Sequence, residues 1–191
     1  MIFENEITIE ITCSYEELDK ILIEKGFEVV EKYKIVDDYL LPKTSDLTNK
    51  NSLEILKEAI IVRNFNDYEK ELVYKYKEYN DLGEILKQSK VVCHVNDIDE
   101  SINFLENIGY KKLIHIENNS ICYSNGELSF SVQLVNNKYI FIELEERSKH
   151  VETVFSNAED MKKAIDSLNI PMVKNNYFAK KTVIVLEESK K

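Results

Sequence analysis

Between Ile114 and Glu146 the chain alternates apolar and polar residues in three runs, IHIENNSICY, LSFSVQLV and YIFIELEE, separated by SNGE and NNK. Strand side chains point to opposite faces in turn, so this alternation predicts strands with one apolar and one polar face. Asn125-Gly126 is a strong hairpin signal, because a two-residue type I′ turn needs φ > 0 at both central positions. Such a turn predicts pairing of Cys122 with Ser129, Ser120 with Ser131 and Asn118 with Gln133. Those six share one face, while Ile121, Tyr123, Leu128, Phe130, Val132 and Leu134 share the other.

Parity decides the next connection. A two-residue Asn136-Asn137 loop would set Gln133 beside Ile140 and Ile142. A three-residue loop, Asn136 to Lys138, sets Gln133, Ser131 and Ser129 beside Tyr139, Phe141, Glu143 and Glu145. Only the longer loop keeps one face polar and the other apolar, because a one-residue slip moves every side chain to the opposite face. The N-terminal run repeats the pattern. Glu6, Thr8, Glu10 and Thr12 fall on one side of a strand predicted to run to Cys13, and Ile7, Ile9, Ile11 and Cys13 on the other. The polar side either faces solvent, as antiparallel sheets commonly do, or curls into a wet lumen.

Helices separate the strands at regular places. Ser14-Tyr15-Glu16-Glu17 has the form of a capping box, opening a helix with Leu18, Ile21 and Leu22 that stops at Gly26. Asp97-Ile98-Asp99-Glu100 opens a second, with Ile98, Ile102, Leu105 and Ile108, that stops at Gly109. Each glycine is followed by an aromatic and a strand, which reads as an internal duplication of strand–helix–strand units. A short helix over Ser52–Lys57 and strands over Ala59–Phe65, Glu71–Lys77 and Val91–Val95 complete the centre. Ser156-Asn157-Ala158-Glu159 opens a C-terminal helix, and the β-branched run Thr182–Leu186 predicts a closing strand. The expectation is one α+β domain over residues 1–191, with pseudo-repeat halves of about 1–88 and 89–191. Its sheet is an antiparallel eight-stranded tunnel-like β-barrel with a polar interior and helices packed outside. Closure would remove the exposed edges of an open sheet.

Composition narrows the function classes. Acids outnumber bases 35 to 25, a net charge of −10, which argues against a nucleic-acid backbone as partner, since affinity there comes from Lys and Arg on phosphates. Few glycines and prolines in a 43% apolar chain predict an ordered domain. No apolar run is long enough to span a bilayer and the N-terminus is acidic, so neither a spanning helix nor a signal peptide is expected. Cys13, Cys93 and Cys122 form an odd, scattered set that predicts reduced thiols and a cytoplasmic location. His94, His115 and His150 show no metal-ligand spacing and read as ordinary strand or loop histidines.

The layout from about Glu6 to Tyr177 resembles the CYTH family, the triphosphate tunnel proteins that include class IV adenylate cyclases and thiamine triphosphatases. The family's opening Glu-x-Glu-x-Lys falls on Thr8-Ile9-Glu10-Ile11-Thr12, keeping the second Glu. Its Asp-x-Tyr looks like Asp37-Asp38-Tyr39, its Leu-Arg-x-Arg like Ile60-Ile61-Val62-Arg63, and its Thr-Tyr-Lys like Val73-Tyr74-Lys75. Its Lys-x-Arg falls on Asn118-Asn119-Ser120, so both bases are gone, and Gln133 stands for an acid. Its Glu-Ile-Glu survives as Glu143-Leu144-Glu145, and its Ser-Tyr looks like Asn176-Tyr177. The resemblance implies phosphate binding by Arg63, Lys75 and Lys77, and Mg²⁺ or Mn²⁺ held by Glu10, Glu143 and Glu145. Thr8, Thr12, Asn118, Ser120, Ser131 and Gln133 would line the same cavity. The implied partner is a small phosphorylated anion, with no nucleic acid and no membrane, and a homodimer is compatible with it. Weak triphosphate hydrolysis or adenylate-cyclase-type turnover follows from the resemblance; a catalytically inactive binding or interaction module is the alternative. Taken alone, Glu143 and Glu145 also fit a solvated strand face, and Lys75 and Lys77 an edge strand guarded by lysines.

Overall fold

The computed structural model describes residues 6–81 and 85–190, with the backbone alone at 85–88. Its elements run β1 (Glu6–Glu10), α1 (Tyr15–Glu24), β2 (Glu28–Pro42), α2 (Ser52–Leu56), β3 (Ile60–Phe65), β4 (Glu69–Tyr79), β5 (Ile85–His94), α3 (Ile98–Asn107), β6 (Tyr110–Ser124), β7 (Ser129–Val135), β8 (Tyr139–Glu145), α4 (Ala158–Asp166) and α5 (Lys181–Ser189). The strands form one antiparallel sheet in the order β1-β8-β7-β6-β2-β3-β4-β5. That order reads alike from either end when β1 to β4 are exchanged with β5 to β8. A closed barrel would pair β1 with β5, and among the described residues no pairing joins them. The fold is therefore an eight-stranded antiparallel sheet with helices.

The chain divides into two compact units, one of residues 1–33, 81–84 and 118–179, the other of 34–80, 85–117 and 180–191. In the first unit Ile7, Ile9, Phe130, Val132, Ile142 and Leu144 present an apolar face. Leu18 and Leu22 of α1 and Met161 and Ile165 of α4 cover it. Ser14 starts α1 as its sequence predicts, its side chain accepting from the Glu17 backbone N–H at 3.2 Å. The cap of α4 is Asn157 rather than Ser156, and it accepts from the Asp160 N–H at 2.9 Å. The free edge of β1 is paired in turn. The Thr8 N–H donates to Tyr177 O and the Ala179 N–H to Thr8 O, both at 2.9 Å.

Two connections of this unit separate right from wrong expectations. Val135 pairs with Tyr139, Gln133 with Phe141 and Ser131 with Glu143, which is the three-residue loop chosen by parity. Asn136 and Asn137 both take positive φ, and the Lys138 N–H closes the turn on Val135 O at 3.0 Å. The Asn125-Gly126 turn, in contrast, is wider than two residues. Ser124 pairs with Ser129, Cys122 with Ser131 and Ser120 with Gln133. Asn125 keeps a negative φ and uses Oδ1 to accept from the Glu127 and Leu128 N–H groups. The side chain mimics a backbone turn, and the register moves by two, so each residue keeps its expected face.

In the second unit Leu105, Ile98 and Ile102 of α3 pack on Leu40, Val62, Ile60 and Leu72. Asp97 caps α3, accepting from the Glu100 N–H at 2.9 Å. The hairpin from β3 to β4 repeats the geometry of β7 to β8: Phe65 pairs with Glu69, and Asn66 and Asp67 have positive φ. The expected closing strand over Thr182–Leu186 is instead helix α5. Its β-branched residues are half-buried or buried, with Val185 and Leu186 inside, and Ser52 of α2 meets Glu187 and Lys190. Tertiary packing has overridden a local β preference.

Burial in the first unit sets a stability test. Leu22 is fully buried and its neighbour Ile23 is 59% exposed. Leu22→Ala is expected to destabilise by about 2–5 kcal/mol and Ile23→Ala by under about 0.5 kcal/mol, read from urea unfolding midpoints.

Candidate functional site

The polar face of the first unit is built from β1, the start of β2, the end of β6, β7 and β8. Gln133 is nearly fully buried, and its Nε2 donates to Ser131 Oγ and to Glu143 Oε1, both at 3.1 Å. A buried amide with its donors satisfied fixes the rotamers of its neighbours. Ser120 donates to Asn118 Oδ1 at 3.2 Å. Tyr33, from β2, interacts with Ser120, Ser131 and Glu143, and burial pushes its hydroxyl up to about 12. Thr8 is buried opposite Glu143. Ser120, Ser131, Gln133, Glu143 and Thr8 thus belong to one hydrogen-bonded face.

Three other expected residues sit differently. Glu145 is exposed and lies opposite Glu6, and Glu10 is half-buried opposite Phe141. Thr12 lies beyond the end of β1, exposed, its N–H donating to Pro171 O at 3.1 Å. There it lines a depression with Asp166, Asn169, Lys174 and Tyr177. Glu10, Glu143 and Glu145 share a strand face without gathering at a point. Among the described residues, three potential ligand atoms come within 4.8 Å of one another only in Glu31, Cys122, His150 and in Glu69, Glu71, His94. The glutamates still fit a hard cation in kind, because Mg²⁺ is usually held by one or two carboxylates, with water and substrate phosphates completing its shell.

The second unit carries the cations. Arg63 on β3 makes a fork with Asp37 on β2: Nε donates to Oδ1 at 2.7 Å and Nη2 to Oδ2 at 2.6 Å. Both side chains are largely buried, at 13% and 10% exposure. Strand register places Asp37, Arg63 and Glu71 in one row, and Lys75 stands on the same face one alternation beyond Val73. Burial first, and then the Arg63 charge, lowers the Lys75 ammonium to about 8. Lys77 follows on that face, half-buried opposite Gln88. Helix α5 reaches the same face, with Tyr39 Oη 3.2 Å from Thr182 Oγ1 and Lys180 Nζ 3.9 Å from the Tyr79 ring centroid. Asp38 points the other way and is met by Lys112 at 2.8 Å and His115 Nδ1 at 2.7 Å.

Sequence reading missed the partner of Arg63, although Asp37 and Arg63 were both singled out. It also missed Tyr33, Glu31 and His150. These sit at one-off positions far apart in the chain, and the strand register together with the loop over 147–154 brings them to their partners.

Neither a protein-family model nor a curated protein matches the chain. Solved structures do. HpAC1 from Hippeastrum, described as having a dominant triphosphatase activity, superposes with a TM-score of 0.65 at 13% identity, covering 98% of this chain and 96% of its own. The PH1819 protein of Pyrococcus horikoshii gives 0.62 at 17% identity, covering 99% and 100%. A Vibrio parahaemolyticus protein provisionally named an adenylate cyclase gives 0.56 at 13%, covering 97% and 98%. At such identities the likeness shows the fold alone, and that fold is CYTH-like.

The depressed Lys75 ammonium has a consequence for stability. Between pH about 8 and the ordinary value of 10.5 the unfolded chain holds the proton and the folded chain does not. Stability therefore rises with pH across that window and carries the full cost of the buried charge below it. Lys75→Met is expected to stabilise the protein at pH 7 and to flatten its stability between pH 8 and 10, measured by urea unfolding at each pH.

Proposed function

We propose that this protein binds a small phosphorylated anion, a nucleoside or organic triphosphate, together with Mg²⁺ or Mn²⁺ in the cytoplasm. The observation that carries the reading is the strand face shared by Arg63 and Lys75, where burial first and then the arginine charge depress the lysine. Two like charges held together in a protein of net charge −10 favour an anionic ligand, whose binding would stabilise the Lys75 charge. Arg63, Lys75 and Lys77 are the phosphate-binding groups in this reading, and Glu143, with Glu10 and Glu145, the metal-binding groups. Thr8, Thr12, Asn118, Ser120, Ser131 and Gln133 are the polar lining, and the sheet closes as a tunnel-like barrel, as the CYTH resemblance implies. A bound divalent ion would neutralise charge on the phosphates. The described triphosphatase activity of HpAC1 is consistent with a triphosphate as ligand.

Turnover is expected to be weak. Thr8, Ile61, Thr12, Asn118, Ser120 and Gln133 replace charged residues of the family pattern, and each hydrogen bond to a charged group is worth about 1.5–3 kcal/mol. The Asp37 carboxylate already occupies both donating edges that Arg63 uses, so a phosphate must compete for that fork. These features favour, as a second reading, a binding module without catalysis.

Calorimetric titration with tripolyphosphate and Mg²⁺ is expected to give saturable binding that weakens as pH rises through about 8, where Lys75 loses its proton. Lys75→Met should weaken binding about 10- to 100-fold and remove that pH dependence. Glu143→Gln should markedly weaken Mg²⁺ or Mn²⁺ binding while changing the unfolding free energy by under about 1 kcal/mol. Absence of binding to tripolyphosphate, ATP and thiamine triphosphate, with and without the metal, would sink the reading. Fast ATP turnover abolished by Glu143→Gln would replace the module with an enzyme.

A further inference from the structure

Within the first unit, three side chains of different chemistry converge beside the Gln133–Glu143 face. Glu31 comes from β2, Cys122 from β6, and His150 from a loop closed by the bridge between Arg147 and Val154. His150 Nε2 lies 3.1 Å from Glu31 Oε2, and Cys122 Sγ lies 4.0 Å from the same oxygen. All three ligand atoms are within 4.8 Å of one another. A tetrahedral zinc site with bonds of about 2.0 Å to oxygen and nitrogen and about 2.3 Å to sulfur has ligand–ligand edges of about 3.3–3.5 Å. The O–N edge is nearly formed, the S–O edge is about half an ångström longer than a zinc site needs, and the S–N edge is at most 4.8 Å.

We propose that Glu31, Cys122 and His150 bind one borderline-soft divalent cation of the Zn²⁺ type, with water in the fourth position. The ligand set is what separates this site from a magnesium site, because thiolate and imidazole select zinc-like ions over hard cations. The three ligands are held before any metal arrives. Cys122 is 8% exposed on a strand, and His150 is placed by its own N–H, which donates to Ser148 Oγ at 3.2 Å. Lys149 Nζ binds the other oxygen of Glu31, Oε1, at 2.8 Å. Its side chain is 69% exposed, so it can leave that oxygen or stay there while Oε2 coordinates.

The charge balance closes with one proton. Burial, and then the Glu31 carboxylate, push the Cys122 thiol up to about 11 against the Lys149 ammonium, with Glu145 and Glu143 adding smaller upward contributions. At neutral pH the metal-free side chain is therefore S–H. Coordination breaks that bond, forms S–Zn and releases the proton to solvent, as thiol ligands require. The metal-free thiol is accordingly a poor nucleophile, and the same acidic neighbours that suppress the thiolate favour a cation.

The proposal does not depend on the phosphate reading and is tested without phosphate. Zn²⁺ and Co²⁺ are titrated into the full chain, with bound metal counted by mass spectrometry and cobalt followed by its thiolate charge-transfer absorption. One ion per chain is expected, with an affinity that tightens about tenfold per pH unit below the thiol value. The charge-transfer band should vanish in Cys122→Ser, and zinc affinity should fall at least about tenfold in His150→Ala. Lys149→Ala should bind more tightly, an effect that a purely structural salt-bridge cluster would not produce. If Cys122→Ser fails to fold, the loop variants His150→Ala and Lys149→Ala still decide the matter. No binding of either ion, or one-to-one binding unchanged in His150→Ala, would overturn the site. Tripolyphosphate titrations run beside these would be unaffected by the failure.

Discussion

Strand parity is the constraint on which the rest of the molecule depends. The turn between β7 and β8 places Asn136 and Asn137 at positive φ, a conformation that asparagine tolerates better than most residues. One residue fewer would carry Ile142 and Leu144 out of the core under α1 and α4 and bring Glu143 in. Two fully buried aliphatic side chains are worth about 1.5–3 kcal/mol each, and an unpaired buried carboxylate costs more. The alternative register is therefore excluded by both faces at once. With β8 fixed, β1 can pair only so that Thr8 meets Glu143 and Ile9 meets Ile142.

This explains which parts of the structure were legible in the sequence. Faces follow from alternation, and they survive even where the turn was misjudged. Asn125 widened its turn by two residues, and parity is indifferent to two. Capping residues such as Ser14 and Asp97 act within one turn of helix, so local sequence reveals them. The C-terminal run TVIVLEES was misleading because its preference is set by what it packs on, namely α2 and the face of Tyr39. The site was half legible for a related reason. Arg63, Lys75, Glu143 and Gln133 are placed on their faces by alternation, whereas the pairing of Arg63 with Asp37, or of His150 with Glu31, depends on which strands and loops become neighbours.

The two hairpins make the division of charge plain. β3–β4 and β7–β8 have the same loop length and left-handed residues at the same two turn positions, so Arg63 occupies the place of Gln133, Val73 that of Glu143 and Lys75 that of Glu145. One copy carries cations and the other carboxylates and an amide. The buried polar groups of each copy are satisfied differently: Arg63 by Asp37 of the neighbouring strand β2, Gln133 by Ser131 and Glu143 within its own hairpin. Buried charges need such partners, and the partner chosen in each copy determines what a ligand must displace.

The pairing of β1 with residues 177 to 179, on the side away from β8, has a consequence for how the chain reaches its fold. Both neighbours of β1 lie more than 120 positions downstream. Ile7 and Ile9, together with the inner side of α1, therefore emerge in synthesis well before their partners. Contacts of such long sequence separation slow folding, and an apolar strand left waiting is a target for wrong pairing. Glu6 and Glu10 at its ends, in a chain that repels its own copies by net charge, guard that strand until the tail arrives to close it.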